Sequence, residues 1–404
     1  MYQRMKVAQI NYQYNSGSVG RIAHDLHVQM LNEGIESRVF CAFDHSHSKE
    51  CMSYMTRIGL RFNQIENRLL GNQGFGYFTK TSQLVKDLES YRPDVIHLHN
   101  LHAFYMNCEK LFHFLKQYGK PVVWTFHDCW PFTGHCAYFD AIDCQKWKTG
   151  CNHCPCHLKA YPNTIVDRTN TFYLRKKRVF NSIEDLTIVT PSQWLADLVS
   201  QSFLLKFRVE VINNGIDLTK FILLDKESLK IKYGYQGKKV LLGVSSMGFS
   251  GRKGIDDFIE LAGILPTDYQ IILIGANQCD KKKIPSNIIA MGRTESIRQL
   301  NEYYSMADLF LNPTKEDNFP TTNIESLACG TPVITYRTGG SPESVTDNCG
   351  SVTQHPTALS LKESVLQFHP RRNQSEICRE RAELLYSKEL FSERYIQLYK
   401  EVTA

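Results

Sequence analysis

KVAQIN at residues 6–11 runs into NSGSVG at 15–20 and then into a helical pattern that begins at Arg21 and fades near Glu33. The first stretch is an apolar run of strand length, the second a cluster of turn formers, and the third repeats its apolar residues at helical spacing. Strand, glycine loop and helix, in that order, form the opening unit of a doubly wound sheet. The succession recurs. VIHLH at 95–99 and PVVWTF at 121–126 read as strands around the amphipathic segment 108–118, and helix and strand signals resume at 168–180 and 186–189. VEVINNG at 209–215 reads as a linker. Beyond it, strand candidates at 239–244, 269–275, 308–312 and 332–336 alternate with helical segments near 256–264, 296–306 and 322–328. The reading is an α/β chain of two doubly wound, parallel-sheet, Rossmann-like domains, 1–207 and 208–386, with a last helix over 387–404 free to pack back on the first. Two such domains in tandem make a cleft, and ligands of such sheets sit beyond the carboxyl ends of the strands.

Length and composition agree. At 404 residues the chain exceeds one ordinary domain of about 100–200 residues. Hydrophobic content of 42% and charged content of 22% belong to a folded globular protein. A net charge of +6 is too diffuse to point to nucleic acid. No run approaches the roughly 18 apolar residues that span a bilayer, and residues 1–11 lack the apolar stretch of a signal peptide, so a cytoplasmic protein is expected. One basic cluster, Arg175, Lys176, Lys177 and Arg178, reads as a solvated helix face or as a face for anionic lipid headgroups.

The segment richest in chemistry is KEDNFPTTNIESLACGTP at 315–332. A strand at 308–312 leads into a loop at 317–320, Thr321 or Thr322 caps a helix with Glu325 in its first turn, and Gly330 ends it. A helix start offers free N–H groups and the positive end of its dipole to a phosphate, while a carboxylate just inside accepts hydrogen bonds from a ribose diol. Asp317 would reach sugar hydroxyls from the loop. Taken alone, these residues also describe a capped helix whose acids face water.

As a whole the segment resembles the second-domain motif of retaining GT-B glycosyltransferases of family 4, in which two acids stand eight positions apart ahead of a Gly-x-Pro-Val ending. Asp317 and Glu325 have that spacing. The family has glutamate first, so Asp317 is a departure and Glu316 an alternative. INNGIDLTKF at 212–221 resembles the family's interdomain stretch and TGGSPE at 338–343 its glycine-rich turn, so the resemblance covers nearly the whole chain. It implies a donor site lined by Glu316, Asn318, Phe319, Pro320, Thr321 and Thr322. Arg252 and Lys253, opening a helix in FSGRKGIDDF at 249–258, match the position used on the donor diphosphate. Cations are needed there because the leaving diphosphate gains negative charge as its bond to the sugar breaks. Many relatives place the arginine several residues earlier, where Gly248 stands here, and Arg252 is read as its replacement.

On the acceptor side, Gly17, Ser18, Val19 and Gly20 resemble the family's first-domain glycine loop, where small residues let backbone amides approach a phosphate or acceptor. The loop lacks the G-x-G-x-x-G spacing of a dinucleotide site. His127, after PVVWTF and before Asp128, is either a structural hydrogen-bonding group or, as the resemblance implies, a contact to the donor sugar. The resemblance further implies retention by front-face attack, with the diphosphate itself taking the acceptor proton. The protein then supplies placement and charge stabilisation. That scheme needs no divalent metal, and no D-x-D pair stands in a suitable loop.

Six of the thirteen cysteines fall between Cys129 and Cys156, and in a reducing compartment such clustering points to metal rather than to disulfides. In HCAYFDAIDCQKWKTGCNHCPC at 135–156, the C-x-x-C of Cys151 and Cys154 with Cys136 and Cys144 makes a closed set for one structural zinc. His135, His153, Cys156 and His157 are competing ligands, and free thiols are the alternative. The irregular insertion, about 128–163, has too little apolar content for its own core. It resembles a subgroup of the family that includes the colanic acid type of exopolysaccharide glycosyltransferases.

These readings converge on a hexosyltransferase that moves a sugar from a nucleotide-sugar donor to a lipid-linked oligosaccharide acceptor in bacterial exopolysaccharide or lipopolysaccharide synthesis, at the inner face of the plasma membrane. Two others stay open. One is a nucleotide-sugar epimerase on the same architecture. The other is a zinc-containing binding module without catalysis, suggested by the altered first acid.

Overall fold

The computed structural model describes residues 4–44, 48, 50–159, 163–246, 248–249 and 251–404. Residues 1–3 of the chain start, 160–162 of the cysteine-rich insertion and Ser250 of the basic run lie outside the described residues. The chain forms two units, Met1–Asn213 with Phe391–Ala404, and Asn214–Leu390.

The first unit is built on a seven-stranded sheet of β1 (Lys6–Tyr14), β2 (Glu36–Asp44), β3 (Cys51–Ser53), β4 (Val95–Leu98), β5 (Val122–Thr125), β6 (Leu186–Thr190) and β7 (Arg208–Val211), in the order β3-β2-β1-β4-β5-β6-β7. Every pairing is parallel. β4 and β5 are buried along their whole length, as strands covered on both faces must be. Successive side chains take opposite faces. Ile96, Leu98, Val122 and Trp124 join a core with Phe112 and Phe180, while Val95 and Val123 join a second core with Leu26 and Tyr399. Tyr399 comes from the last helix, Lys388–Thr403, which is fastened to this sheet by Thr125–Tyr395 and His97–Tyr399 hydrogen bonds of 2.8 and 2.6 Å.

Three expectations change here. The stretch from Val209 is not a linker at its start, because Val209 and Val211 lie in β7, paired with β6. β1 runs on to Tyr14 because the nine-residue β2 supplies partners that far, Tyr14 facing Asp44. The helix that follows is Gly17–Asn32, so Gly17, Ser18, Val19 and Gly20 form its first turn rather than a loop before it.

The second unit carries β8 (Lys239–Val244), β9 (Tyr269–Ile274), β10 (Ile288–Met291), β11 (Leu309–Asn312), β12 (Val333–Thr335) and β13 (Gly350–Val352), all parallel, in the order β10-β9-β8-β11-β12-β13. Leu242, Ile272, Phe310 and Val333 fill one face, and Leu241, Ile271, Leu311 and Ile334 the other. The strand order reverses between β8 and β11, so the segments that follow these two strands part and leave a crevice at their carboxyl ends.

The insertion builds no core of its own, yet it is anchored. Trp130, Phe132, Phe139 and Trp147 are buried in the main core of the first unit, with Phe132 and Phe139 centred 5.3 and 5.2 Å from Trp147. Scattered singly among polar residues, these rings dock on a neighbouring core instead of forming one of their own. Nor is the basic cluster one face. On the helix Thr169–Phe180, Lys176 is 1% exposed, Arg175 and Arg178 both pair with Glu109, and Arg175 also stacks 4.6 Å from the Phe75 ring. Among the described residues no helix is long and apolar enough to cross a membrane.

Candidate active site

The segments after β8 and β11 carry the expected donor-side residues to one place. Arg252 and Lys253 sit in a 3-10 turn, Gly251–Lys253, and not in the helix they were expected to open. Gly254, at φ 75°, separates that turn from the helix Ile255–Ile264. Lys253 Nζ donates to Asp317 Oδ2 at 2.5 Å, and Arg252 Nη1 donates to the main-chain oxygen of Glu316 at 3.3 Å. The main chain reinforces the pairing: Lys315 N–H donates to Arg252 O at 2.7 Å. Lys253 and Asp317 are both partly exposed, at 26% and 15% of their side chains, so this ion pair faces solvent on one side.

Two glycines make the approach possible. A Cβ on Gly254 would stand 2.4 Å from Pro313 O, and one on Gly339, at φ 54°, would stand 1.7 Å from Asp317 O. Both distances are far inside contact, so the G of RKG and the first G of TGG let their loops close on 313–317. Thr338 Oγ1 adds a hydrogen bond to Thr314 O at 2.6 Å. Of the two candidate first acids, Asp317 therefore offers its side chain to the lysine, while Glu316 meets Arg252 through its carbonyl.

The helix after this loop is Thr321–Ala328. Its cap is Pro320, with no side-chain cap bond, which corrects the expectation that Thr321 or Thr322 caps it and places Glu325 in the second turn. Asn318, Phe319 and Pro320 are buried, and Asn214 Nδ2 donates to Phe319 O at 3.1 Å, while Thr321 and Thr322 are half-buried. Glu325 is 6% exposed and accepts a 3.0 Å hydrogen bond from the Tyr304 hydroxyl. A buried amide fixes this helix against its neighbours. Asn323 Oδ1 accepts from Asn312 Nδ2 at 2.8 Å, and Asn323 Nδ2 donates to the Ser341 and Ser344 hydroxyls at 3.1 and 2.9 Å. Tyr304 and Asn323 do not stand out in the sequence, since neither type signals a role without its partner.

In the first unit, β1 and β4 flank the equivalent reversal of strand order. His127 follows β5, half-buried, with Nε2 3.2 Å from His99 Nδ1 and the two rings stacked at 5.5 Å. Burial pushes its pKa down to about 4, so it is neutral at pH 7. His99 in turn bonds Gln9 Oε1 at 3.1 Å, and burial holds it far below the ordinary value too. Burial opposes ionisation of Asp128, but His102, 2.8 Å away, and the Trp130 N–H outweigh it and hold the carboxyl below the usual range. His97, His99 and His102 do not stand out in VIHLHNLH, although period-two spacing puts the first two on one face.

In the insertion, the thiols of Cys151, Cys154 and Cys144 lie near enough to Cys136 to add to the upward push that burial exerts on it. Cys151 Sγ accepts from Gly134 N–H at 3.2 Å. Among the described residues, no three His, Cys, Asp or Glu side chains are arranged to hold a metal ion.

The chain is 26% identical over 422 residues, 98% of its own length and 100% of the other's, to the putative colanic acid biosynthesis glycosyl transferase WcaC of Escherichia coli (strain K12). Its fold matches a sucrose-phosphate synthase from Thermosynechococcus elongatus with a TM-score of 0.71 at 16% identity over 99% of both chains. It also matches Anabaena Alr3699/HepE in complex with UDP-glucose, with a TM-score of 0.67 at 14% identity over 98% of this chain and 100% of that one. The two parallel sheets, each with loops gathered at its reversal of strand order, are thus those of a GT-B glycosyltransferase. The family model described as Glycosyltransferase Family 4 matches residues 19–220, half of the chain, and the one described as Glycosyl transferases group 1 matches 225–384. The chain belongs to glycosyltransferase family 4. The epimerase and the non-catalytic module give way to that assignment.

Proposed function

We propose that this enzyme transfers a hexose from a nucleotide-sugar donor to a lipid-linked oligosaccharide acceptor in the building of a bacterial surface polysaccharide, with retention at the anomeric carbon. The observation that carries the reading is the Lys253–Asp317 pair beside Arg252, on the loops after β8 and β11 and ahead of the helix that holds Glu325. Cations suit the diphosphate, Asp317 the sugar hydroxyls and Glu325 the ribose. The Anabaena protein in complex with UDP-glucose supports a nucleotide-sugar donor, and the Escherichia coli relative supports a polysaccharide pathway. In the reaction the bond from the anomeric carbon to the diphosphate oxygen breaks, the acceptor oxygen bonds the same face, and its proton passes to the diphosphate. His127 contacts the donor sugar, Gly17, Ser18, Val19 and Gly20 serve the acceptor side, and no divalent metal takes part.

Glu325→Ala tests the donor assignment. A hydrogen bond to a charged group is worth about 1.5–3 kcal/mol, so donor affinity is expected to fall by roughly one to two decades. Titration calorimetry with a panel of nucleotide sugars measures it, and unchanged affinity sinks the assignment.

We also propose that Cys136, Cys144, Cys151 and Cys154, which lie near one another but are not arranged as a metal site in the structure, draw together around one structural zinc, which ties the insertion together and leaves no position for a reacting water. Elemental analysis of protein purified without added metal should find about one zinc per chain. A chelator should lower the melting temperature and expose the insertion to protease before donor binding fails. No zinc together with a full count of reactive thiols rules the site out.

A further inference from the structure

The helix Arg57–Leu70 presents its faces in reverse. Ile58, Phe62, Ile65 and Leu69 recur at spacings of four, three and four, which at about 100° per residue forms a single stripe. They are 70%, 68%, 58% and 52% exposed. The face turned inward is amide: Asn67 is buried, and Asn63 Nδ2 donates to Phe104 O at 2.9 Å while the main-chain oxygen of Asn63 accepts from the Tyr77 hydroxyl at 3.0 Å. Both helix ends are well made. Thr56 Oγ1 accepts from Gly59 N–H at 3.1 Å, and Gly71, at φ 63°, closes the last turn. A helix in a folded protein gains most of its stability by covering its apolar stripe, so this one calls for an occupant.

The charges identify it. Arg57, Arg61 and Arg68 are exposed and fall along one side of the stripe. The helix's single acid, Glu66, turns away and accepts from Asn72 at 2.7 Å. The apolar surface continues past the helix end, where Ile165 N–H donates to Arg68 O at 2.8 Å and Ile165 and Val166 are 54% and 47% exposed. A second copy docked through the same helix is a poor occupant, because the helix's single acid, Glu66, lies on the other side of the stripe and offers nothing to meet the arginine row. An anionic bilayer takes the apolar stripe and the cations together.

We propose that this helix lies in the interface of an anionic membrane, with the stripe below the headgroups and the arginines among the lipid phosphates. Phe104, to which the helix is bonded, belongs to the segment after β4, at the carboxyl edge of the first sheet where His127 also stands. A bilayer at this helix therefore brings lipid-borne molecules toward that edge. This last step rests on the proposed lipid-linked acceptor, whereas the docking itself does not.

The test is flotation of the full chain with vesicles of phosphatidylglycerol and phosphatidylethanolamine in equal parts, against phosphatidylcholine alone. The protein should float with the first. Phe62→Ser with Ile65→Ser should lower partitioning about tenfold or more, and Arg57→Glu with Arg61→Glu should abolish the preference for anionic lipid. Circular dichroism and nucleotide-sugar binding like those of the parent show that both variants are folded. If they float like the parent, or if the serine variant only turns a dimer into a monomer in light scattering, the proposal fails. Docking that persists when no nucleotide sugar binds would refute the functional reading and leave the membrane one standing.

Discussion

Lys253→Ala is expected to lower kcat by about two to three decades, the loss seen when one preorganised donor to a developing charge is removed. Donor affinity should fall by no more than about tenfold, which is less than the usual worth of a charged hydrogen bond. The difference follows from where the ammonium already is. Without a donor, Lys253 Nζ is bonded to Asp317 at 2.5 Å, and with 26% of its side chain exposed it also keeps contact with water. Binding the diphosphate exchanges or shares these partners, so the net gain in the ground state is small. As the bond to the sugar breaks, charge builds on the leaving oxygen, and a fixed cation then stabilises the transition state more than the bound substrate. Steady-state kinetics beside calorimetry separates the two. A rise in KM with kcat intact would mean that the lysine only binds. Asp317→Asn provides a second handle, since it leaves the cation in place but removes its partner.

The lysine, the acid and the strands behind them are legible in the amino-acid sequence, because each rests on a local signal. β8, β9 and β11 are short apolar runs bounded by turn formers, and the loops after β8 and β11 carry the charged residues. β3 and β13 are not legible, for the opposite reason. Each is three residues long, and β13 contains Gly350, which would place a Cβ 1.9 Å from Val333 O and is there for close approach, not for strand propensity. β2 is easily missed although ESRVFCAFD is rich in apolar residues, because it follows the first helix across a short Gly34 turn that draws no attention to itself.

Within the site the division is similar. The resemblance of their segment to the family's second-domain motif brings out Asp317 and Glu325, whereas Tyr304 and Asn323 act through partners 21 and 18 residues away in the chain, which no local pattern reveals. The helix start at Thr321 shows the limit of propensity rules. Two threonines are good caps, but Pro320, at φ −69°, already sets the backbone before the first turn, and the threonines fall inside it. The Arg57–Leu70 helix has the periodicity of a core helix, and only the fold around it shows that its apolar stripe points outward.

RKKR at 175–178 is the least legible stretch, and it carries the largest stability prediction. Lys176→Ala is expected to destabilise the first unit by about 2–5 kcal/mol, the range for truncating a buried side chain and depriving buried acceptors of their donor. Lys176 is 1% exposed, its Nζ donates to Trp130 O at 2.7 Å and to Thr133 O at 3.0 Å, and it sits 3.6 Å from the centre of the Trp130 ring. Truncation takes the lysine donor from the Thr133 carbonyl, leaves the Trp130 carbonyl only the long bonds from Thr133 N–H and Oγ1 at 3.4 and 3.5 Å, and opens space under the insertion. Lys176→Met restores the stem but not the bonds, so it should recover part of the loss. It also cannot titrate. Burial lowers the Lys176 pKa from the ordinary 10.5 to about 7, although nearby thiols and Asp128 pull the other way. Between those values the unfolded chain holds a proton that the folded chain does not. The parent should therefore gain stability on the methionine variant as pH rises through this window, by up to about 1.4 kcal/mol per unit, and the gain should be absent below pH 7. Urea unfolding of parent and variant from pH 7 to 10 measures the difference, in which every other titrating group cancels. A flat difference would mean that the two carbonyls and the indole keep the ammonium charged throughout, and that the lysine is held there as a cation.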